Sequence, residues 1–193
     1  MPFTKSPGEK APDFKLVGVD YQTYQLSDFT EPLIAIVFSC NHCPYVVGSE
    51  QRMIDFQARN RGNVRLIAIN SNDAVAFPDD SFDQMVERAK ALAYNFLYLH
   101  DADQTIAAAY GAIKTPHYFL LDQDRVIRYT GRMDDNPKDA TQATTQELPD
   151  ATDALRAGQP VTIPTTDPIG CTVKWVGKDR KFIPNDACDV IVG

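Results

Sequence analysis

The residues of this sequence whose types and spacing could do chemistry are Cys40 and Cys43, set in Phe38-Ser39-Cys40-Asn41-His42-Cys43-Pro44-Tyr45. A thiolate attacks a disulfide through a mixed-disulfide intermediate, and a second thiol nearby displaces the product, so such a pair cycles between dithiol and disulfide. Helix N-termini carry unpaired N–H groups and partial positive charge, and the thiolate is the reactive form of cysteine. Cys40 is therefore the expected nucleophile, with a pKa of roughly 3.5–7.5 against about 8.5 for a free thiol. Cys43, one helical turn on and more enclosed, is the expected resolving thiol. A charged His42 between them would favour the thiolate further.

A C-x-x-C is also half of a structural zinc site, but that site needs four ligands. Cys171 and Cys188 lie far downstream in separate contexts, and no second close Cys or His pair accompanies the first. Copper would need Cys40, Cys43 and a histidine to converge as soft ligands. The reading carries no metal and no cofactor.

Certain elements must position these thiols. Leu33-Ile34-Ala35-Ile36-Val37-Phe38 is the continuous apolar run of a strand covered on both faces. After the motif, Val46, Val47, Met53, Ile54 and Phe56 fall near a helical period, Pro44 sits in the first turn, and Arg59 to Asn63 closes the helix. Upstream, Phe14 to Val17 and Tyr21 to Tyr24 form a hairpin around Gly18 and Asp20. Downstream, Val64 to Ile69 is a second buried strand, and Asn70-Ser71-Asn72-Asp73 leaves the end of the sheet where open α/β sheets place their sites. Those four residues either shape a loop or line the site. Pro78 starts a helix whose Phe82, Met85, Val86, Ala89 and Leu92 recur as core packing, followed by a strand at Phe96 to Leu99 and a brief helix from Gln104 to Tyr110. His100 reads as a surface residue.

Lys114-Thr115-Pro116-His117-Tyr118-Phe119-Leu120-Leu121-Asp122 is a second region of interest. Proline directly before a buried strand is anomalous unless it is the strand's first residue, and cis X-Pro bonds occur in tight, ordered turns. His117 could polarise Cys43, or strand alternation could point it away from the sulfurs. Asp122 to Asp124 turns into a strand from Arg125 to Gly131, and Thr141 to Ala157 is a last helix containing Pro149. Beyond Pro160 the chain reads as an extended tail anchored by Trp175. Cys171 is either a third redox cysteine, if the tail returns to the site, or a buried small residue; Cys188 reads as a bystander.

The chain has 193 residues, 44% hydrophobic and 23% charged, which suits one globular unit: a domain over 1–158 with a tail over 159–193 packed on it. Its net charge of −7 leaves no concentrated basic surface for nucleic acid. The N-terminus lacks the apolar core of a signal peptide and no segment reads as a bilayer span, so a cytoplasmic protein is expected. Four cysteines, two in one motif, do not make a disulfide scaffold.

The Gly8 to Phe14 opening, the Cys40 to Cys43 motif, Ala68 to Asp73, Pro78 to Phe82, Thr115-Pro116, Gly131 to Asp135 and Ile169 to Trp175 together resemble the bacterial peroxiredoxin-like branch of the AhpC/TSA redoxins. The resemblance spans nearly the whole chain. It implies a thioredoxin-like α/β fold: a central mixed sheet flanked by helices, an N-terminal β-hairpin and an extended C-terminal tail. It also implies that Thr115-Pro116 is cis beside the C-x-x-C and presents the Thr115 backbone to an extended substrate. Asn41, His42, Pro44, Thr115, Pro116 and His117 are then supporting residues around Cys40 and Cys43. Where some relatives carry a further cysteine, this chain has Lys114.

Three activities follow. A thiol–disulfide oxidoreductase exchanges electrons with thiol or disulfide proteins or with small thiols. A thiol peroxidase of the peroxiredoxin kind places Pro-x-x-x-Thr/Ser before its x-x-Cys and an arginine nearby, a pattern neither Cys40 nor Cys43 fits. A redox sensor would use the pair as a switch. Disulfide exchange is the expected activity, and a histidine before the second cysteine resembles oxidising family members, with a potential above thioredoxin's roughly −270 mV. The oligomeric state is left open.

Overall fold

The computed structural model describes residues 4–178. Cys188 lies outside the described residues. The sheet is built on β3 (Leu33–Ser39), whose seven residues are all buried. Its alternation explains the unbroken apolar run: Leu33, Ala35 and Val37 join one core cluster, while Ile34, Ile36 and Phe38 join the other. A strand covered on both faces has no solvent side on which to place polar residues.

Parallel to β3 runs β4 (Val64–Asn70), and parallel to that β5 (Leu97–His100). On the other side of β3, β7 (His117–Leu121) and β8 (Ile127–Gly131) run antiparallel. The hairpin of β1 (Lys15–Gly18) and β2 (Thr23–Gln25) adds to β5, giving the order β2-β1-β5-β4-β3-β7-β8. Helices α2 (Glu50–Arg59), α3 (Phe82–Ala91) and α5 (Glu147–Arg156) bury Met53, Phe56, Met85, Leu148 and Ala151 against the first face. Helix α4 (Thr105–Tyr110) and the N-terminal segment cover the second with Ala107, Tyr110, Phe14 and Leu16. This is a thioredoxin-like α/β arrangement. Among the described residues no helix is long and apolar enough to cross a membrane.

Several expectations need correction. The active-site helix is two pieces: α1 (Pro44–Val47) ends at Gly48, and α2 begins at Glu50. Gly48 packs so closely on Pro137 and Lys138 that a side chain would collide with their backbone, and Arg52 fastens the junction through Gly48 O, Pro137 O and Asp134. Leu92, expected in the core, is exposed because α3 has ended by then, whereas His100 is half-buried against Phe82. The last helix is shortened to α5, preceded by a 3-10 turn at Ala140–Gln142, and Pro149 falls in its first turn where its missing N–H is harmless.

The tail runs extended and adds to two strand edges. Thr165 bridges Thr130 beside β8, and β9 (Cys171–Thr172) pairs antiparallel with β6 (Lys114–Thr115). Trp175 packs half-buried against the second core cluster.

Candidate active site

The strand β3 delivers the chain to the C-terminal edge of the parallel strands, where Cys40 follows Ser39 directly. The loop Cys40-Asn41-His42 is then held from below by one carboxylate. Asp80, fully buried at the end of the 3-10 turn Pro78–Asp80, accepts the Asn41 backbone N–H at 2.6 Å and Asn72 Nδ2 at 2.8 Å. It also stands 2.7 Å from His42 Nδ1, an ion-pair contact without the alignment of a hydrogen bond. The Asn41 amide donates to Asp79 O and accepts from the Tyr98 hydroxyl at 2.9 Å. Asn41 is thus a brace for the loop. His42 stacks on Phe77, rings 5.3 Å apart, and the close Asp80 carboxylate raises its pKa against the opposing effect of burial.

Asp80 is the buried acid that sequence reasoning missed. Acidic residues in a first helical turn ordinarily complement the helix dipole in solvent, so nothing local distinguishes Asp80 from exposed Asp79. Burial works to raise the Asp80 pKa, but His42, the Asn41 N–H and Asn72 outweigh it and hold the carboxyl below its usual value.

The two thiols converge on Thr115, and the Thr115-Pro116 peptide is cis. Cys40 Sγ lies 3.4 Å from Thr115 Oγ1, and Cys43 Sγ lies 3.1 Å from Thr115 O, to which it donates when protonated. All three described cysteines are free thiols. Cys43 is the N-cap of α1, with Pro44 first in the helix.

Cys43 is the more enclosed sulfur, as expected of a resolving thiol, at 0% exposed against 2% for Cys40, whereas the electrostatics of the two run the other way. Cys40 precedes the helix by three residues and is 2% exposed; burial, its hydrogen bond to Cys43 and the nearby Asp80 charge all push its pKa up. Cys43 is pulled well down, because the Cys171 and Cys40 sulfhydryls donate to it and the backbone N–H groups of Cys171 and Val46 face it, which together outweigh burial. Helix α1 has only four residues, so individual donors and not a macrodipole favour the anion. Cys171, holding its proton toward Cys43, has its pKa raised.

His117 does not reach the sulfurs. Alternation in β7 puts Tyr118 and Leu120 on the face of Cys40 and Cys43, and His117 with Phe119 and Leu121 on the other. Its Nε2 meets Thr130 Oγ1 at 3.1 Å, and burial lowers its pKa to about 3, so it is a neutral core residue at neutral pH.

The loop after β4 both shapes the backbone and meets the site. Asn72 accepts the Lys174 backbone N–H at 2.9 Å while donating to Asp80. Asp73 N donates to Lys174 O, and Gln104 bonds Ser71 O, Lys174 O and Val176 N. The tail is therefore tied to the same buried carboxylate as the Cys40 loop. The motif Gly131 to Asp135 is structural: Arg132 pairs with Glu147 and Asp134 with Arg52.

Cys40 Sγ, His42 Nδ1 and an Asp80 oxygen lie within 4.8 Å of one another, a soft, borderline and hard donor. The Asp80 oxygens are already engaged by Asn41 and Asn72, and an ion there would have to compete with those N–H donors.

The Redoxin family model matches residues 6–155. An uncharacterized conserved protein from Geobacillus kaustophilus is 36% identical with a TM-score of 0.83, over 88% of this chain and 92% of that one. A hypothetical protein from Sinorhizobium meliloti 1021 is likewise 36% identical with a TM-score of 0.83, over 90% and 97%. Peroxidoxin BcpB from Mycobacterium tuberculosis, at 17% identity and a TM-score of 0.60 over 79% and 97%, shares the fold. No curated protein matches.

Proposed function

The chain belongs to the Redoxin family and has a thiol-based redox function, and within that function we propose that it is a thiol–disulfide oxidoreductase working through Cys40 and Cys43. The observation that carries this reading is the pair of sulfurs gathered on Thr115, Cys40 Sγ 3.4 Å from its hydroxyl and Cys43 Sγ 3.1 Å from its carbonyl oxygen. A one-cysteine reaction has no use for the second sulfur.

In this reading Cys43, not Cys40, attacks. The Cys43 thiolate forms a bond to one sulfur of a substrate disulfide, and the other substrate sulfur leaves as thiolate. Cys40 then gives up its proton and attacks Cys43 Sγ; the Cys40–Cys43 bond forms, the substrate's remaining sulfur leaves, and it takes that proton. The substrate is reduced to two thiols and the protein oxidised to one disulfide. Asp80 and Thr115 position the two sulfurs. Because the reduced thiolate is stabilised, the pair is expected to be more oxidising than thioredoxin, at roughly −270 mV. A small thiol or a dithiol protein is the expected electron donor, in a reducing compartment such as the cytoplasm.

The test is steady-state turnover of wild type, Cys40→Ser and Cys43→Ser with a peptide disulfide and, separately, with hydrogen peroxide, under one reductant. Disulfide turnover lost in both variants, with little peroxide consumption, is expected. Fast peroxide consumption that survives Cys40→Ser would overturn the reading in favour of a one-cysteine peroxidase.

A further inference from the structure

The backbone edge just before Pro116, where an extended substrate would pair, is already occupied by this chain. The tail strand β9 lies antiparallel on β6 with Cys171 directly opposite Thr115. The fit is made by Gly170, where any Cβ would overlap the Thr115 carbonyl and crowd Pro116 N. Val173 N donates to Ile113 O, and Lys174 is held by Asn72, Asp73 and Gln104. A chain that only needed to cover the surface would not require a residue without a side chain at that contact.

Thr115 is consequently the meeting point of three sulfur-bearing residues. Cys40 reaches its hydroxyl, Cys43 its carbonyl, and Cys171 pairs with its backbone. Cys43 neighbours both Cys40 and Cys171 around this one residue, which makes it the middle member of a row of three thiols. Such a row allows a disulfide to move along it without any outside thiol.

We propose that Cys171 is a third redox cysteine, which exchanges with Cys40 for Cys43 and thereby fastens the tail strand into the substrate edge. The proposal rests on the oxidoreductase reading, which supplies the Cys40–Cys43 disulfide. In the step, Cys171 loses its proton and attacks Cys43 Sγ; the Cys43–Cys171 bond forms, the Cys40–Cys43 bond breaks, and the Cys40 thiolate takes up a proton. The exchange is redox-neutral. Its product is a closed form, in which the oxidising equivalent is stored and the site of substrate pairing is covalently occupied. Reduction of Cys43–Cys171 releases β9 and reopens the edge.

The experiment uses full-length protein carrying Cys188→Ser, so that no other tail thiol competes, oxidised with oxidised glutathione, acid-quenched, alkylated and peptide-mapped. Wild type in this background is expected to yield both Cys40–Cys43 and Cys43–Cys171 linkages. Cys40→Ser is expected to convert to Cys43–Cys171 alone, and adding Gly170→Ala to slow that closure by about tenfold, by lowering the effective concentration of Cys171 at Cys43. A Cys40→Ser protein that accumulates glutathione on Cys43, with Cys171 still alkylated, would overturn the proposal while leaving disulfide exchange by Cys40 and Cys43 intact. If glutathione modifies Cys43 in no variant and wild type forms no Cys40–Cys43 disulfide, the oxidoreductase reading fails with it.

Discussion

Replacing Asp80 with asparagine tests how the loop bearing the cysteines is held. The carboxylate serves three neighbours: the Asn41 N–H at 2.6 Å, Asn72 Nδ2 at 2.8 Å and the His42 ring at 2.7 Å. In Asp80→Asn the amide oxygen can still accept from Asn41, but the new NH2 faces Asn72 Nδ2, donor against donor. Asn72 cannot turn its own amide to compensate without surrendering the Lys174 N–H that it accepts. One hydrogen bond to a charged, buried group is lost, which costs about 1.5–3 kcal/mol of folding stability.

The pH dependence of that loss is fixed by sign. The folded pKa of His42 is raised, so its contribution is complete below its unfolded value of about 6.5 and fades as pH climbs through the folded one. The folded pKa of Asp80 is lowered, so its contribution is complete above about 3.9 and is lost as pH falls through the folded one. The stability gap between wild type and Asp80→Asn should be widest between about pH 4 and 6.5 and narrow on either side. Urea unfolding across pH, followed by circular dichroism, measures it. A gap under about 0.5 kcal/mol, or one that does not change with pH, would refute the assignment of Asp80 as the clamp.

Three further outcomes follow from the same geometry. Cys171→Ala removes a donor to Cys43, so the acidic thiolate seen by ultraviolet absorbance should titrate at higher pH, whereas Cys43→Ser should abolish it. His117 should not titrate by NMR near neutral pH, since its folded pKa is about 3 against about 6.5 unfolded, and the stability it contributes above the higher value declines as pH falls between the two; His117→Asn should flatten that acid slope. Leu120→Ala, in the core beside the cysteines, should cost about 2–5 kcal/mol in denaturant unfolding, while exposed Leu92→Ala should stay within about 0.5.

Local patterns in the sequence were enough to locate the strands and the thiols. The run from Leu33 to Phe38 reads as a two-sided strand, because six consecutive apolar side chains leave no face for water and the run is short for a helix, and Cys40 follows it at the sheet's C-terminal edge. The hairpin, the strand after Pro116 and the extended tail were legible for similar reasons: alternation, turn residues and spaced prolines act within a few residues of themselves. The electrostatic surroundings of the sulfurs were not legible. They depend on which donors face each one, and those facing Cys43 include Cys171, more than a hundred positions away, and the Val46 N–H of the helix that Cys43 caps. Asp80 escaped for the same reason, since only the packing of the 3-10 turn under the loop removes it from solvent. The sequence by itself determined which thiols are candidates for the chemistry and the strand that delivers them. Tertiary structure alone decided which donors face each sulfur, which acid clamps the loop, and that the tail strand pairs at Thr115, because burial and long-range contacts are properties of the assembled sheet.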